Sequence, residues 1–418
     1  MSLSGALSSA VSALNAQSQA ISMISDNIAN ASTTGYKSVS ASFESMLSSS
    51  TATSSYSAGG VSVSTRYNIS EQGLRTSSSN DTAIAIEGNG FFCVSDGKTG
   101  SASYYTRAGD FTVDDDGYLV SNGYYLLGWR TDAEGNVTSG ENSASLERID
   151  TGTVQSIAKA TTTETVEANL PADAAVGDTF TSTLEVYDSL GTASNVTVTW
   201  TKTAENAWSA TYSDATLASD PSVVTGTSSG TTTITFDGDG NLASVTGNTL
   251  AIDWTTGASD SAITIDVGTI GGADGLTQRA SGLATPAVDL KSIDQDGLAY
   301  GSLTGVSIAN GGDVTATYSN GETLVIYKVA VATFADPNGL TTLSGGIYEE
   351  SLASGGATLH ESGVGGAGDI YGSQLESSTA DTTEEFSTMI TAQQAYSAAA
   401  QVVSTVSDMY DTLMSAVR

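Results

Sequence analysis

A single cysteine in a chain of 418 residues rules out an intramolecular disulfide framework, so no redox compartment can be read from bridges. Cys93 sits in Gly90-Phe91-Phe92-Cys93-Val94, the setting of an ordinary strand residue. Histidine is as scarce. His360 stands alone in a glycine-rich stretch, where any His-based metal site or Ser-His-Asp relay would rest on one imidazole, and it reads as a surface loop residue. Basic residues are few, thirteen against forty-six acidic ones, and the net charge of -33 repels nucleic acid and anionic membrane surfaces. No apolar run approaches eighteen residues and no Lys or Arg precedes Lys37, so neither membrane insertion nor a conventional cleaved secretory signal is expected. With only four prolines, wholesale disorder is not expected either.

What the chain does have is a pair of matched amphipathic segments at its two ends. Leu3, Leu7, Ala10, Leu14, Gln17, Ile21, Ile24, Ile28 and Ala31 follow a strict 3-4 spacing, as do Phe386, Met389, Gln393, Tyr396, Ala400, Val403, Ser407, Tyr410, Met414 and Val417. A heptad seam of this length needs a partner helix. Since the seams lie at opposite termini, they are expected to pack on each other and then on copies from neighbouring subunits. Ser2 or Ser4 is the candidate N-cap of the first helix, which closes at Asn30 and Thr33-Thr34-Gly35; Asp381-Thr382-Thr383-Glu384 announces the second.

Between the helices the pattern is strand and turn. Residues 38–80 are rich in Ser and Thr, with Ser48-Ser49-Ser50-Thr51 as a plain tract, and read as a connector. From residue 81 strands alternate with turns such as Asp115-Asp116-Gly117. The expected layout is nested: a hairpin-rich β-domain from 81–151 and 286–372, an inserted all-β sandwich or barrel at 152–285, and terminal coiled-coil helices at 1–37 and 373–418, whose 380–418 part joins 1–37 in an inner core. The fold class is thus mainly β with terminal α-helices.

Two patterns imitate chemistry. Gly363-Val364-Gly365-Gly366-Ala367-Gly368 matches GxGxxG, but the preceding segment is polar and no helix is expected to follow, so it reads as a glycine hinge. Asp114-Asp115-Asp116-Gly117 and Asp237-Gly238-Asp239-Gly240-Asn241 resemble fragments of calcium loops, yet neither has a glutamate at the twelfth position, and both read as hairpin turns. No catalytic, metal or cofactor-binding residue is singled out, and no cofactor is expected.

The segment Asn27-Ile28-Ala29-Asn30-Ala31-Ser32-Thr33-Thr34-Gly35-Tyr36-Lys37 resembles the signature of bacterial flagellar rod-and-hook axial proteins, with Asn27, Asn30, Gly35, Tyr36 and Lys37 as its marked positions. Glu87-Gly88-Asn89-Gly90-Phe91-Phe92, then Tyr105-Thr106-Arg107-Ala108-Gly109-Asp110-Phe111, and finally Leu375-Glu376 with Ala392-Gln393-Gln394-Ala395-Tyr396, resemble the same family in order. The chain departs from the family at Ser377-Ser378-Thr379-Ala380-Asp381, where Ser-Asn-Val-Asp is usual.

Members of that family with an inserted outer domain form the hook. The resemblance therefore implies a non-enzymatic subunit of an extracellular, flexible tube that passes torque from rod to filament. A homopolymer follows, with the distal rod protein, hook cap, hook-filament junction proteins and the flagellar export apparatus as further partners. A distal rod subunit is the alternative within the family, and an extracellular β-rich polysaccharide-active enzyme or adhesin the alternative outside it. The expected polymer interface is Leu7, Leu14, Ile21, Ile24, Ile28, Phe386, Met389, Tyr396, Val403, Tyr410 and Val417.

Overall fold

The computed structural model describes residues 3–46, 59–97, 104–132, 134–138, 140, 142–154 and 156–416. Ser2, Val417 and the Ser48–Thr51 tract lie outside the described residues. Two long helices, α1 (Leu3–Ala29) and α2 (Thr382–Ala416), bracket a succession of strands. Ser4 falls inside α1 and is therefore not its cap. Asp381 caps α2: its Oδ1 accepts from the Thr383 amide at 2.7 Å, and Glu384 and Glu385 set negative charge against the positive end of the helix dipole.

The chain divides into two compact units. The first holds Met1–Thr153, Val306–Ala316 and Leu324–Arg418, so the terminal helices belong to the same unit as the hairpin strands. Within it, strands from the two outer parts of the chain interleave antiparallel. Arg75–Ser77 pairs with Gln374–Glu376, Ile84–Glu87 with Asp369–Gly372, and Phe91–Ser95 with Val331–Thr333 as well as with Tyr104–Thr106. The core beneath them contains Phe91, Cys93, Leu127, Trp129, Leu340 and Tyr348. Burial pushes the Cys93 thiol far up, so it packs as a small apolar residue.

Three sequence expectations change here. Part of the presumed connector forms a hairpin, Val39–Ser45 against Val61–Tyr67, because Val39, Ala41 and Phe43 alternate and meet Tyr67, Thr65 and Val63 across the ladder. His360 is the last residue of a strand, Thr358–His360, paired with Val331–Thr333, and is half-buried instead of lying on a surface loop. The glycine run after it is a set of turns leading to the strand Asp369–Gly372.

The second unit spans Val154–Gly305 and Thr317–Thr323. Twelve of its described strands, from Thr163–Pro171 to Asp289–Gln295, form one sheet, mostly antiparallel, over a core that includes Leu184, Val196, Trp200, Trp208, Ile234 and Ile252; Ser156–Lys159 pairs instead with Leu298–Ile308. Ala193–Ala204 alternates half-buried and buried positions almost throughout, as a period of two requires. The unit runs past residue 285, where the sequence reading ended it: Asp289–Gln295 pairs antiparallel with Thr163–Pro171, adding a strand. The Asp237 turn is a hairpin end in which its own Asp239 and Asn241 amides occupy the carboxylate and hold its pKa below the usual carboxylate range.

Candidate functional site

The signature residues gather at the exit of α1. Asn27, 2% exposed, is the hub: its Oδ1 accepts from the Val39 amide at 2.9 Å and from the Tyr36 hydroxyl at 3.1 Å, while its Nδ2 donates to the Val39 carbonyl and to Glu385 Oε1. One side chain thus ties the end of α1, the strand after it and the first turn of α2. Asn30 closes the helix locally, donating to the Asp26 carbonyl at 2.9 Å. Burial is the main cause that raises the Glu385 carboxyl, partly offset by the Asn27 hydrogen bond.

Gly35 occupies the left-handed region at φ 69°, and a Cβ there would lie 2.6 Å from the Ala108 amide nitrogen. Only glycine fits a turn that is both left-handed and pressed against another segment's backbone. The Gly35 amide donates to the Glu376 carbonyl at 2.8 Å, which places Lys37 beside the Glu376 side chain.

There Lys37 and Arg107 share one carboxylate. Lys37 Nζ lies 2.5 Å from Glu376 Oε1 and Arg107 Nη1 3.2 Å from Oε2, with all three side chains no more than 4% exposed. The Gly73 amide also donates to Oε1, and Arg107 Nη2 donates to the Gly88 carbonyl at 2.7 Å. Burial lowers both cations' pKa, and Glu376 opposes that shift. Five separate stretches of chain, at Lys37, Gly73, Gly88, Arg107 and Glu376, converge on this cluster.

Thr379 takes part where the chain departs from the family pattern. Its amide donates to the Tyr36 carbonyl at 3.1 Å and its Oγ1 accepts from the Ser38 amide at 2.8 Å, so a hydroxyl carries the turn into α2. The sequence reading assigns no role to Arg107, Glu376 or Thr379. The available signal was Arg107, a lone cation in the Tyr105–Phe111 motif of a chain so poor in basic residues.

Along the helices, the expected seam and the observed pairing differ. On α1, Ile24 is buried, but the other tightly buried positions are Ala10, Ala16, Ala20 and Asn27, while Leu7, Leu14, Ile21 and Ile28 are half-buried. On α2 the stripe against α1 centres on buried Ala392 and Val406, with Met389, Val403 and Tyr410 half-buried. Phe386, Tyr396 and Met414 stay exposed, at 53%, 41% and 69%. Alanines win the intrachain contact because small side chains let two helix backbones approach closely. The large apolar residues are left facing outward, with Ile390 and Leu413 beside them. Among the surfaces formed with α1, an apolar groove of about 290 Å³ also opens between Ile24, Phe43 and Ala392.

Paired terminal helices, a buried junction at their root and hairpin-rich β-structure between them are the arrangement that the resemblance to flagellar axial proteins implies, and family matches cover these parts in chain order. Residues 7–37 match the family described as flagella basal body rod protein, and residues 372–416 the flagellar basal body rod FlgEFG protein C-terminal family. Between them, residues 85–156 match the flagellar hook protein FlgE/F/G D1 domain and residues 156–298 the flagellar basal body protein FlaE D2 domain. The chain is 36% identical to the flagellar hook protein FlgE of Rhizobium meliloti and 35% to that of Brucella suis, with 99% of each chain covered in both cases. It is 31% identical to that of Salmonella typhimurium, over 97% of this chain and 98% of the relative. The chain belongs to the flagellar hook protein family. In fold it is similar to the crystal structure of Helicobacter pylori flagellar hook protein FlgE2, with a TM-score of 0.53 and 13% identity over 72% of this chain and 100% of that one.

Proposed function

We infer that the chain is a structural, non-catalytic subunit that polymerises into the flagellar hook, the flexible extracellular joint between rod and filament. The observation that carries the reading is the set of large apolar side chains that α2 leaves uncovered. Phe386, Ile390, Tyr396, Met409, Leu413 and Met414 remain exposed after the helix has paired with α1, and so many on one helix mark a binding surface. Further copies of the same helices are its natural occupants, because each buried large apolar side chain contributes roughly 1.5–3 kcal/mol and the gain repeats at every subunit. The polymer's ends would meet the distal rod protein, the hook cap and the hook-filament junction proteins, and subunits would reach them through the flagellar export apparatus.

Phe386→Asp and Met414→Asp test the reading. Both should leave the monomer's thermal transition in place, abolish sedimentable polymer in kosmotropic salt, and give non-motile cells without hooks. Ser18→Asp, on the exposed side of α1, is the control. Polymerisation of the two α2 variants to the level of that control would remove the physical basis of the assignment.

A further inference from the structure

Leu352 is fully exposed, yet the loop that carries it is tightly built. Ser351 Oγ donates to the Gly339 carbonyl at 2.5 Å and accepts from the Ala353 and Ser354 amides. Ser354, with no exposed surface, accepts at its Oγ from the Ser351 amide at 2.9 Å. Glu350 turns its carboxylate to the Tyr105 hydroxyl and the Ala357 amide, and a Cβ on Gly339 would sit 2.8 Å from the Ala353 backbone. A leucine held out by so many bonds is a fixed knob, and its exposure costs free energy that burial against a partner recovers.

A receptor of matching character lies in the same unit. A groove of about 440 Å³ is lined by Tyr36, Val39, Tyr67, Asn122, Leu343 and Tyr348 among others, and its one charged side chain, Lys37, is already paired with Glu376. The groove lining contains no acidic residue, and at the knob Glu350, two residues before Leu352, already has its carboxylate held by Tyr105 and Ala357. Copies carrying a charge of -33 repel one another, so contacts between them belong where acidic groups are absent or already engaged.

Knob and groove do not meet within one chain, where Leu352 stays fully exposed. The hairpin Thr341–Leu343 with Ile347–Glu349 has its tip at Leu343 and its open end at Glu349, and Leu352 lies beyond the open end while the groove takes in the tip. Complementary patches at opposite ends of one element make a heterologous contact, which repeats head to tail into a filament. We propose that Leu352 of one subunit enters the Tyr36–Tyr67–Leu343 groove of the next copy, a contact separate from the terminal helices. It rests on the reading of the chain as a polymer subunit.

The test mixes full-length Leu352→Cys subunits with full-length Leu343→Cys subunits, polymerises them in kosmotropic salt and separates the pellet without reductant. Cys93 is buried and does not interfere. The expected result is a reductant-sensitive dimer in the pellet that is absent from the unpolymerised mixture. A pellet without that dimer, or one with only Leu352→Cys self-pairs, overturns the proposal and leaves the hook reading standing; absence of polymer from unmodified protein would sink both. Leu352→Asp should raise the critical concentration for polymerisation about tenfold while the monomer melts as before. An unchanged critical concentration would overturn the contact as well.

Discussion

Lys37 and Glu376 are 339 positions apart in the chain and meet at 2.5 Å with both side chains buried. Their pairing joins the turn segment after α1 to the strand that precedes α2, so α1 ends and α2 begins at one buried root. Arg107 shares the same carboxylate from the hairpin region, which ties the root to the β-structure of the unit. Torque applied to the helices would reach the hairpins through this cluster.

Glu376→Gln should destabilise the first unit by about 3–5 kcal/mol, since it leaves Lys37 and Arg107 buried without their counter-charge. Glu87→Gln removes the partner of Arg75 in a pair of 2.8 Å whose carboxylate is half-exposed, and should cost less than about 1 kcal/mol. Hydrogen exchange along Ile84–Glu87 and Phe91–Ser95 in rising denaturant compares the two. Equal effects would mean that the junction is not what holds the unit.

Val406→Asp and Ile24→Asp place an unpaired carboxylate in the buried α1–α2 stripe. Helical circular dichroism of the monomer should fall in both, and polymer should be lost with it. Phe386→Asp should keep the helical signal and lose only the polymer. Hydrogen exchange along α1 separates the cases: protection lost in Val406→Asp and kept in Phe386→Asp is the expected pattern.

Glu164 predicts a pH dependence for the second unit. Its side chain is fully buried with neither carboxyl oxygen hydrogen-bonded, and burial, aided by Asp296, Asp294 and Glu185, pushes its pKa up from 4.5 to about 8. The folded state then holds a proton that the unfolded state has released between pH 4.5 and 8. Stability attributable to this group is complete below pH 4.5, declines across that window and is flat above it, a loss on the order of 4 kcal/mol. Glu164→Gln should flatten the profile of unfolding midpoints between pH 5 and 8; an unaltered slope would count against the assignment.

Removing residues 161–297 and joining the flanks with a short linker should leave the first unit folded. Lys159 and Leu298 are paired neighbours across an antiparallel ladder, so the cut ends already lie together. Trp200, Trp208 and Trp254 leave with the deleted sheet, and Trp129 remains as the reporter. A cooperative transition at Trp129 is expected. Its absence would show that the twelve-stranded sheet supports the core of the first unit.

The two helices, the order of strands and the signature turn were legible because each is written in short-range pattern. A 3-4 repeat without proline and with no glycine past its first turn points to a helix, and apolar alternation between turn residues points to a strand. The hairpin from Val39 to Tyr67 was missed although Val39, Ala41 and Phe43 alternate, because serine and threonine between them mimic a linker's composition. The pairing face of α2 was legible in part. Met389, Val403 and Tyr410 of the 3-4 seam are half-buried beside Ala392 and Val406, while Phe386, Tyr396 and Met414 of the same seam stay exposed, because close backbone approach favours small side chains.

By itself, then, the sequence determined the class of this protein: terminal heptads, a β-rich middle, an acidic surface and a signature at the end of the first helix. Tertiary structure alone decided that Lys37, Arg107 and Glu376 form one buried cluster, because their separations in the chain are far beyond the reach of any periodicity. It also decided which apolar stripe of α2 is spent inside the subunit and which is left for others. Periodicity reports that a face is apolar, and only the packing of three-dimensional neighbours reports what covers it.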